Sequence, residues 1–167
     1  ITNPVVLGVG AVLAAATAVY TAFLFSQSKG RDLWQSPAMP LHMFTQAIIA
    51  GGAATAVIGM AGYEGLVGPS RLFLGVGLIT HLALVASEIF TPHQTEDAEE
   101  AAARITRGEF ASAFLIVGMA IGIAAPLIVL VASGSAAAVV GAGVLALAGL
   151  FAFEYCWITA PQTISLA

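Results

Sequence analysis

The sequence predicts an all-α integral membrane protein, a helix bundle with five transmembrane helices. Of its 167 residues, 59% are hydrophobic and only 8% are charged, whereas a water-soluble domain carries about 25% charged residues. The mean hydropathy is +0.98. Five segments reach the roughly 20 mostly apolar residues that a membrane-spanning helix requires. Lipid is therefore expected around most of the chain. The net charge of −4 and the lack of a basic stripe predict no binding to nucleic acid.

The predicted spans form a single transmembrane domain over residues 1–167. Their expected bounds are about 4–25, 40–62, 69–90, 109–133 and 135–158. Glycine and alanine recur in these spans, for example at Gly118 and Gly122, and small residues let helix backbones approach closely in lipid. The same glycines are also compatible with plain helix filler, and the sequence leaves both interpretations open.

Alternating spans give the bundle two different ends. Residues 29–37, residues 91–108 and the C-terminus lie on one side, called here the loop-rich side, and the short connections at 63–68 and Gly134 lie on the loop-poor side. Residues 95–107 predict a surface helix, because Thr95 suits the N-cap, acidic residues follow it, and Arg104 and Arg107 come at the end. This helix is either a docking surface or a solvated face. Four of the five basic residues lie on the loop-rich side, which the positive-inside rule places in the cytoplasm.

The polar residues inside the spans concentrate near the loop-rich side. Tyr20 lies about 8 Å from that side by the helical rise. His42 and Gln46 share a face of the second span at i, i+4, and His81 and Glu88 share a face of the third. Such residues are costly in lipid and mark candidate functional sites. The other half of the bundle is nearly bare, so we expect a one-sided site for an amphipathic ligand rather than a complete ion path.

Three polar residues of the spans also have a plainer explanation. Tyr20 suits the aromatic belt at a membrane interface, His42 can cap backbone groups, and Glu154 near the end of the last span can snorkel. A haem held by two histidines needs imidazoles at similar depth, whereas the helical rise puts His42 about 3 Å and His81 about 14 Å inside. The chain also has only one cysteine, whereas iron–sulfur clusters are held by several cysteine thiolates. The sequence therefore predicts no haem and no iron–sulfur cluster in this chain.

Four stretches carry a family resemblance: GRDLWQSPAMPLHMFTQAIIAGGA (30–53), SEIFTPHQTEDAEEAAARITRGEF (87–110), APQTISLA (160–167) and AVYTAFLF (18–25). They resemble the NrfD-like family, the integral membrane subunits of polysulfide reductase and related complexes. The last stretch is similar to that family's Tyr-Thr-Gly-containing helix, with Ala22 where Gly is usual. The resemblance spans essentially the whole chain and aligns it with the C-terminal five helices of a subunit of about eight.

The resemblance implies a quinone-reactive subunit of a respiratory complex in the cytoplasmic (inner) membrane of a bacterium or archaeon. Such a subunit exchanges electrons between menaquinol or ubiquinol and a ferredoxin-like 4Fe–4S partner, which often feeds a molybdenum or tungsten catalytic subunit. It is not catalytic alone and carries no redox metal. By this resemblance Tyr20 contacts the quinone. Gln46 and His81 are expected to line the same pocket, and His81 or Glu88 to accept protons.

The segment above the expected pocket is predicted to dock the iron–sulfur partner. Its contact residues are expected to be Lys29, Arg31, Asp32 and Trp34. A plain interfacial anchor, with Trp34 in the aromatic belt, is the alternative for this segment. For the whole chain, two other functions stay open: a purely structural membrane anchor of such a complex, and a transporter or channel subunit. The lack of an internal repeat disfavours the transporter.

Overall fold

The computed structural model describes residues 3–93 and 95–165, and these fold almost entirely into helices. The main helices of this part of the chain are α1 (Pro4–Phe25), α2 (Met39–Met60), α3 (Val67–Phe90), α4 (Glu96–Thr106), α5 (Ala113–Ala132) and α6 (Ala136–Gln162). Short 3-10 helices cover Asp32–Gln35 and Glu64–Leu66. All main helices except α4 are long and apolar enough to cross a membrane, so the predicted all-helical bundle with five spans is confirmed.

Helix α6 is the centre of the bundle and packs against α2, α3, α4 and α5. Helix α1 packs mainly on α2 and buries only Ala22. Buried apolar residues form two clusters, one in each half of the bundle. The cluster near the loop-rich side includes Phe114, Phe153 and Trp157, and the other includes Leu74. Most outward-facing positions of the spans are large apolar residues, as a lipid-exposed surface requires.

Side chains satisfy several of the backbone groups that helix ends leave unpaired. Asn3 and Ser135 accept hydrogen bonds from the first turns of α1 and α6, and Thr95 does the same for α4, as predicted. On the loop-poor side, Arg71 Nε and Nη2 donate to the carbonyl of Leu130 at 2.9 and 2.6 Å. That carbonyl lies in the last turn of α5, where a cation also complements the helix dipole. Arg71 therefore ties α3 to the end of α5.

Glycines bring α5 and α6 into backbone contact. A Cβ atom built on Gly122 would lie 2.2 Å from Cα of Gly149, and one built on Gly149 would lie 2.1 Å from Cα of Gly122. A Cβ atom built on Gly143, also in α6, would lie 3.1 Å from Cα of Ala53 in α2. The packing interpretation of the Gly122 position is confirmed, because any side chain there would force the helices apart.

The first part of α5, Ala113–Ala124, is a π-helix, and α-helical geometry resumes at Ala125. The change coincides with Pro126, whose nitrogen carries no hydrogen and donates no backbone bond. π-helical hydrogen bonding is rare in proteins and is usually limited to a single turn. Residues 109–110 lie in a turn that precedes the helix, so the span begins after the expected residue 109.

Helix α6 continues to Gln162 rather than ending near residue 158, and it contains Pro161. A proline inside a helix leaves the carbonyl four residues before it without its usual partner. Here that carbonyl belongs to Trp157, and it accepts a hydrogen bond from Trp34 Nε1 at 3.0 Å. The helix therefore tolerates Pro161 because another part of the chain supplies the missing donor.

The Gly149 contact predicts a loss of stability on adding one methyl group. Gly149→Ala should lower the thermal unfolding temperature in detergent, because overpacking of this kind costs about 1–3 kcal/mol. Gly141→Ala is the matched control in the same helix, since no atom lies within 4 Å of its added Cβ. The control should leave the unfolding temperature unchanged or slightly raise it. Equal effects of both variants would contradict the close packing of α5 and α6.

Candidate functional site

Two buried histidines meet on neighbouring helices in the loop-rich half of the bundle. His42 of α2 and His81 of α3 are each 1% exposed, and their ring centroids lie 5.6 Å apart with the rings at 90°. The expectation that helical rise places them at depths about 11 Å apart is therefore wrong. The difference in depth therefore no longer argues against a haem between these histidines. The absence of haem from this chain stays a prediction.

The helix ends are staggered, which explains the error. Ser36, before α2 begins, donates a hydrogen bond through its hydroxyl to the carboxylate of Glu88 in the last turn of α3. These two residues are therefore level, although one precedes its helix and the other is inside it. His42 follows Ser36 by six residues and His81 precedes Glu88 by seven. Counting from this shared level brings both histidines to similar depth.

Helix α6 supplies an aromatic wall for the pair. Phe153 stacks on His42 at 5.7 Å and 17°, and it meets His81 edge-on at 4.7 Å. Trp157 lies 6.0 Å from His42 and stacks on Phe153 at 5.2 Å. Within the described residues, none of the four ring nitrogens of His42 and His81 has a hydrogen-bond partner, and neither does Nε1 of Trp157.

A second polar pair lies beside the histidines, between α2 and α6. Gln46 faces the carboxyl group of Glu154. Neither Nε2 of Gln46 nor Oε1 of Glu154 has a partner with normal hydrogen-bond geometry in this part of the structure. Both residues are half-buried, unlike the histidines. Buried polar groups are nearly always paired in native proteins, so a group of orphaned donors and acceptors is typical of a place where another molecule binds.

Tyr20 lies on the outer side of α1. It is 60% exposed, and the described residues offer it neither a ring contact nor a hydrogen bond. The structure thus brings His42, His81, Gln46 and Glu154 together around α6 and leaves Tyr20 at the bundle surface. Its predicted contact with a quinone stays a prediction.

The orphaned groups have the chemistry that a quinone headgroup requires. Quinone carbonyls accept hydrogen bonds and quinol hydroxyls donate them. Imidazole N–H, the Gln46 amide and the Trp157 indole are donors, and imidazole nitrogen and the Glu154 carboxylate are acceptors. Phe153 and Trp157 add flat apolar faces for the ring. The described residues contain no group of three or more His, Cys, Asp or Glu side chains close enough to hold a metal ion.

A cavity of about 400 Å³ opens at the loop-rich face, above the end of α3. We call it the vestibule. Its polar lining includes Asp32, Ser36, Glu88, His93 and Thr95. Glu88 therefore lies between His81, on the same helix, and a cavity at the bundle end.

Comparison with known proteins decides the family. A family model described as polysulphide reductase, NrfD, matches residues 2–166, essentially the whole chain. The chain belongs to the NrfD family. NrfD proteins are membrane subunits of quinone-reactive oxidoreductase complexes. No curated protein and no solved structure matches the chain in the corresponding comparisons.

The four residues predicted to dock a partner of this NrfD chain divide into two kinds. Lys29 is exposed and Asp32 is half-buried in the wall of the vestibule. Arg31 instead points inward, and its Nη1 donates to the carbonyls of Pro161 and Ile164 at 2.7 and 2.8 Å.

Trp34 is the most enclosed of the four, 9% exposed and packed against Phe25 at 5.2 Å. Its Nε1 donates to the carbonyl of Trp157 in α6. Arg31 and Trp34 therefore fasten the loop to the end of α6 and hold the surface in place. The aromatic-belt alternative for Trp34 is not what the structure shows.

Helix α4 closes the loop-rich end of the NrfD bundle. Its apolar face, with Ala101 and Ile105, is buried in the same cluster as Trp34. The acidic residues of its first turn are exposed. Arg104 Nη2 pairs with Glu100 at 2.6 Å, and Nη1 donates to Thr163 Oγ1 at 2.9 Å. The hydrogen bond to Glu100 raises the pKa of Arg104 above its usual value.

Sequence analysis raised His42 as a candidate but assigned it no role in the quinone site, and it did not single out the α6 wall of Phe153 and Trp157. The i, i+4 spacing of His42 and Gln46 was the available signal for His42. No comparable signal exists for the wall, because an aromatic residue in a lipid-embedded helix has the same sequence pattern whether it faces lipid or a site.

The bond between Trp34 and the carbonyl of Trp157 predicts a measurable coupling with Pro161. Trp34→Phe keeps most of the packing but leaves a buried carbonyl unpaired, which costs about 1–3 kcal/mol. Pro161→Ala restores a backbone N–H that can pair with the same carbonyl.

In the double variant the second change should recover much of the stability lost in the first, as measured by thermal unfolding in detergent. Pro161→Ala alone should have a smaller effect, because the carbonyl is already paired in the parent protein. Additive effects of the two changes would contradict the shared carbonyl.

Proposed function

We propose that the chain is the quinone-reactive membrane subunit of a respiratory complex, exchanging electrons between membrane quinol and an iron–sulfur subunit. The observation that carries this proposal is the group of orphaned polar atoms at His42, His81, Gln46 and Glu154. They occur at one end of the bundle, in a chain whose family consists of quinone-reactive subunits. A one-sided group suits an amphipathic ligand that enters from one leaflet.

The residue roles follow from the chemistry of the groups. Gln46 and His81 hydrogen-bond the headgroup, and Tyr20 contacts the same molecule from α1. Menaquinol or ubiquinol supplies two electrons and two protons on oxidation. His81 and Glu88 take up the protons, and Glu88 passes them to the vestibule, where Asp32 and His93 also lie. The chain carries no redox metal of its own in this proposal and is not catalytic alone.

The loop-rich face is the docking surface in this proposal. Lys29 and Asp32 contact the partner, and Arg31 and Trp34 keep their loop rigid through α6. The partner is a ferredoxin-like 4Fe–4S subunit that delivers electrons to, or receives them from, a catalytic subunit with molybdenum or tungsten. The complex lies in the cytoplasmic (inner) membrane of a bacterium or archaeon.

A purely structural anchor is the second candidate, and the inward bonds of Arg31 and Trp34 favour it, since both residues serve the fold. A structural anchor needs no orphaned polar groups inside its transmembrane helices. This second candidate predicts that changes at Gln46 or His81 alter only the stability of the protein. A transporter or channel subunit is the third candidate, and the off-centre position of the polar groups disfavours it.

Purification of the full-length native protein in mild detergent tests the proposal. We expect a stoichiometric iron–sulfur subunit, with iron and acid-labile sulfide in the complex, and reduction of that partner by a short-chain quinol. Molybdenum and tungsten assays identify the class of the catalytic subunit. A protein that purifies alone, without iron or quinol oxidation in the fractions that contain it, would overturn the proposal.

The assignment of Tyr20 predicts a selective kinetic change. Tyr20→Phe removes one hydroxyl and should raise the KM for quinol about two- to ten-fold, as expected for one lost hydrogen bond, while complex assembly is retained. Tyr63→Phe is the matched control, because Tyr63 is equally exposed but lies on the loop-poor side. Steady-state quinol kinetics identical in Tyr20→Phe and the parent complex would remove Tyr20 from the site.

A further inference from the structure

The proposed quinone site assigns no role to His42. It is as buried as His81 and touches it edge to face. Its two ring nitrogens have no partner among the described residues. A buried neutral imidazole has one N–H donor and one acceptor nitrogen to satisfy. In the described structure, the ring in contact with His42 that also carries an unpaired donor and acceptor is that of His81.

The geometry of the two rings is close to that of a direct hydrogen bond. A linear N–H···N bond of about 2.9 Å, with the distance from each nitrogen to its ring centre added, separates two imidazole centroids by about 5 Å. The observed separation is 5.6 Å. The two rings are therefore near enough for a direct hydrogen bond once one nitrogen of each ring is turned towards the other.

The surroundings suit a pair that carries a positive charge only briefly. No carboxylate touches either ring in the described structure: Glu154 of α6 faces Gln46, and Glu88 of α3 is two turns from His81 and bonded to Ser36. The Cys156 thiol of α6 faces the carbonyl of Phe110. Phe153 contacts both rings, and Trp157 contacts that of His42.

Two opposing effects follow from this environment. Burial without a counter-ion disfavours a charged imidazole. Aromatic faces within about 6 Å of a cation attract it, and sharing the proton between two nitrogens replaces a lost hydrogen bond to water. The second imidazole, as a hydrogen-bond acceptor, therefore offsets part of the cost of burying the charge on the first.

We propose that His42 and His81 form a proton-sharing dyad in which His42 positions and supports His81 as it accepts a proton from bound quinol. The inference rests on the proposed function. In this step the O–H bond of one quinol hydroxyl breaks and an N–H bond forms on His81, while the electrons pass to the iron–sulfur subunit. The far nitrogen of the protonated ring donates to His42. The proton then leaves towards Glu88 and the vestibule.

Two substitutions of His42 in the purified complex separate this role from packing. His42→Leu fills the space but offers no acceptor, and should lower kcat for quinol oxidation about ten-fold or more with the KM within two-fold, because His42 does not touch the quinol. His42→Gln keeps a side-chain oxygen that can accept from His81, and should retain most of the parent kcat. Equal kcat in all three proteins, equal losses in both variants, or a raised KM at unchanged kcat would overturn the dyad.

A spectroscopic measurement on the unmodified complex gives a second readout that does not depend on folding of a variant. Infrared difference spectra during quinol oxidation should show the broad band of a proton shared between two imidazoles, shifted by ¹⁵N-labelled histidine. The band should be lost in His42→Leu if that variant assembles. A complex that oxidises quinol without this band would overturn the dyad while leaving the proposed function intact, whereas a complex that does not oxidise quinol would refute the proposed function itself.

Discussion

In the hydrocarbon core of a membrane there is no water to pair with a polar group, so each buried donor or acceptor must find its partner within the protein. The bundle meets this requirement at both ends through side chains that reach across to other helices. Arg71 pairs with the last turn of α5, Arg31 with the end of α6, and Trp34 with the carbonyl that Pro161 leaves free. In the loop-poor half even the buried hydroxyl of Ser70 is bonded, to Thr55 Oγ1 at 2.8 Å.

Against this background the group around His81 is exceptional. Among the described residues, Ser70 is paired, whereas the rings of His42 and His81 have no hydrogen bonds and Gln46 and Glu154 are imperfectly paired. Unpaired buried groups lower the stability of the folded state. Their concentration at one end of the bundle supports the proposed ligand site, and the vestibule opens at the same end.

Close helix packing makes this arrangement possible. Gly122 and Gly149 bring α5 against α6, and Gly143 brings α6 against Ala53 of α2. These contacts fix α6 at the centre of the bundle, where Phe153 and Trp157 face the two histidines. Helix α4 and the loop around Trp34 then close the loop-rich end over the same region. The position of the aromatic wall thus depends on how closely the helices approach, and the small residues determine that distance.

Composition and hydropathy by themselves determined the fold class, the five spans and the one-sided distribution of polar residues, because these depend on the number and order of apolar residues along the chain. The motifs around Trp34 and Glu88 also indicated the family. Only the tertiary structure decided which polar residues meet. The stagger between α2 and α3, which the bond between Ser36 and Glu88 makes visible, brings His42 level with His81, and Arg31 and Trp34 turn inward in the same fold. Helical rise measures position along one helix, whereas the relative shift of two helices comes from contacts between residues far apart in the sequence.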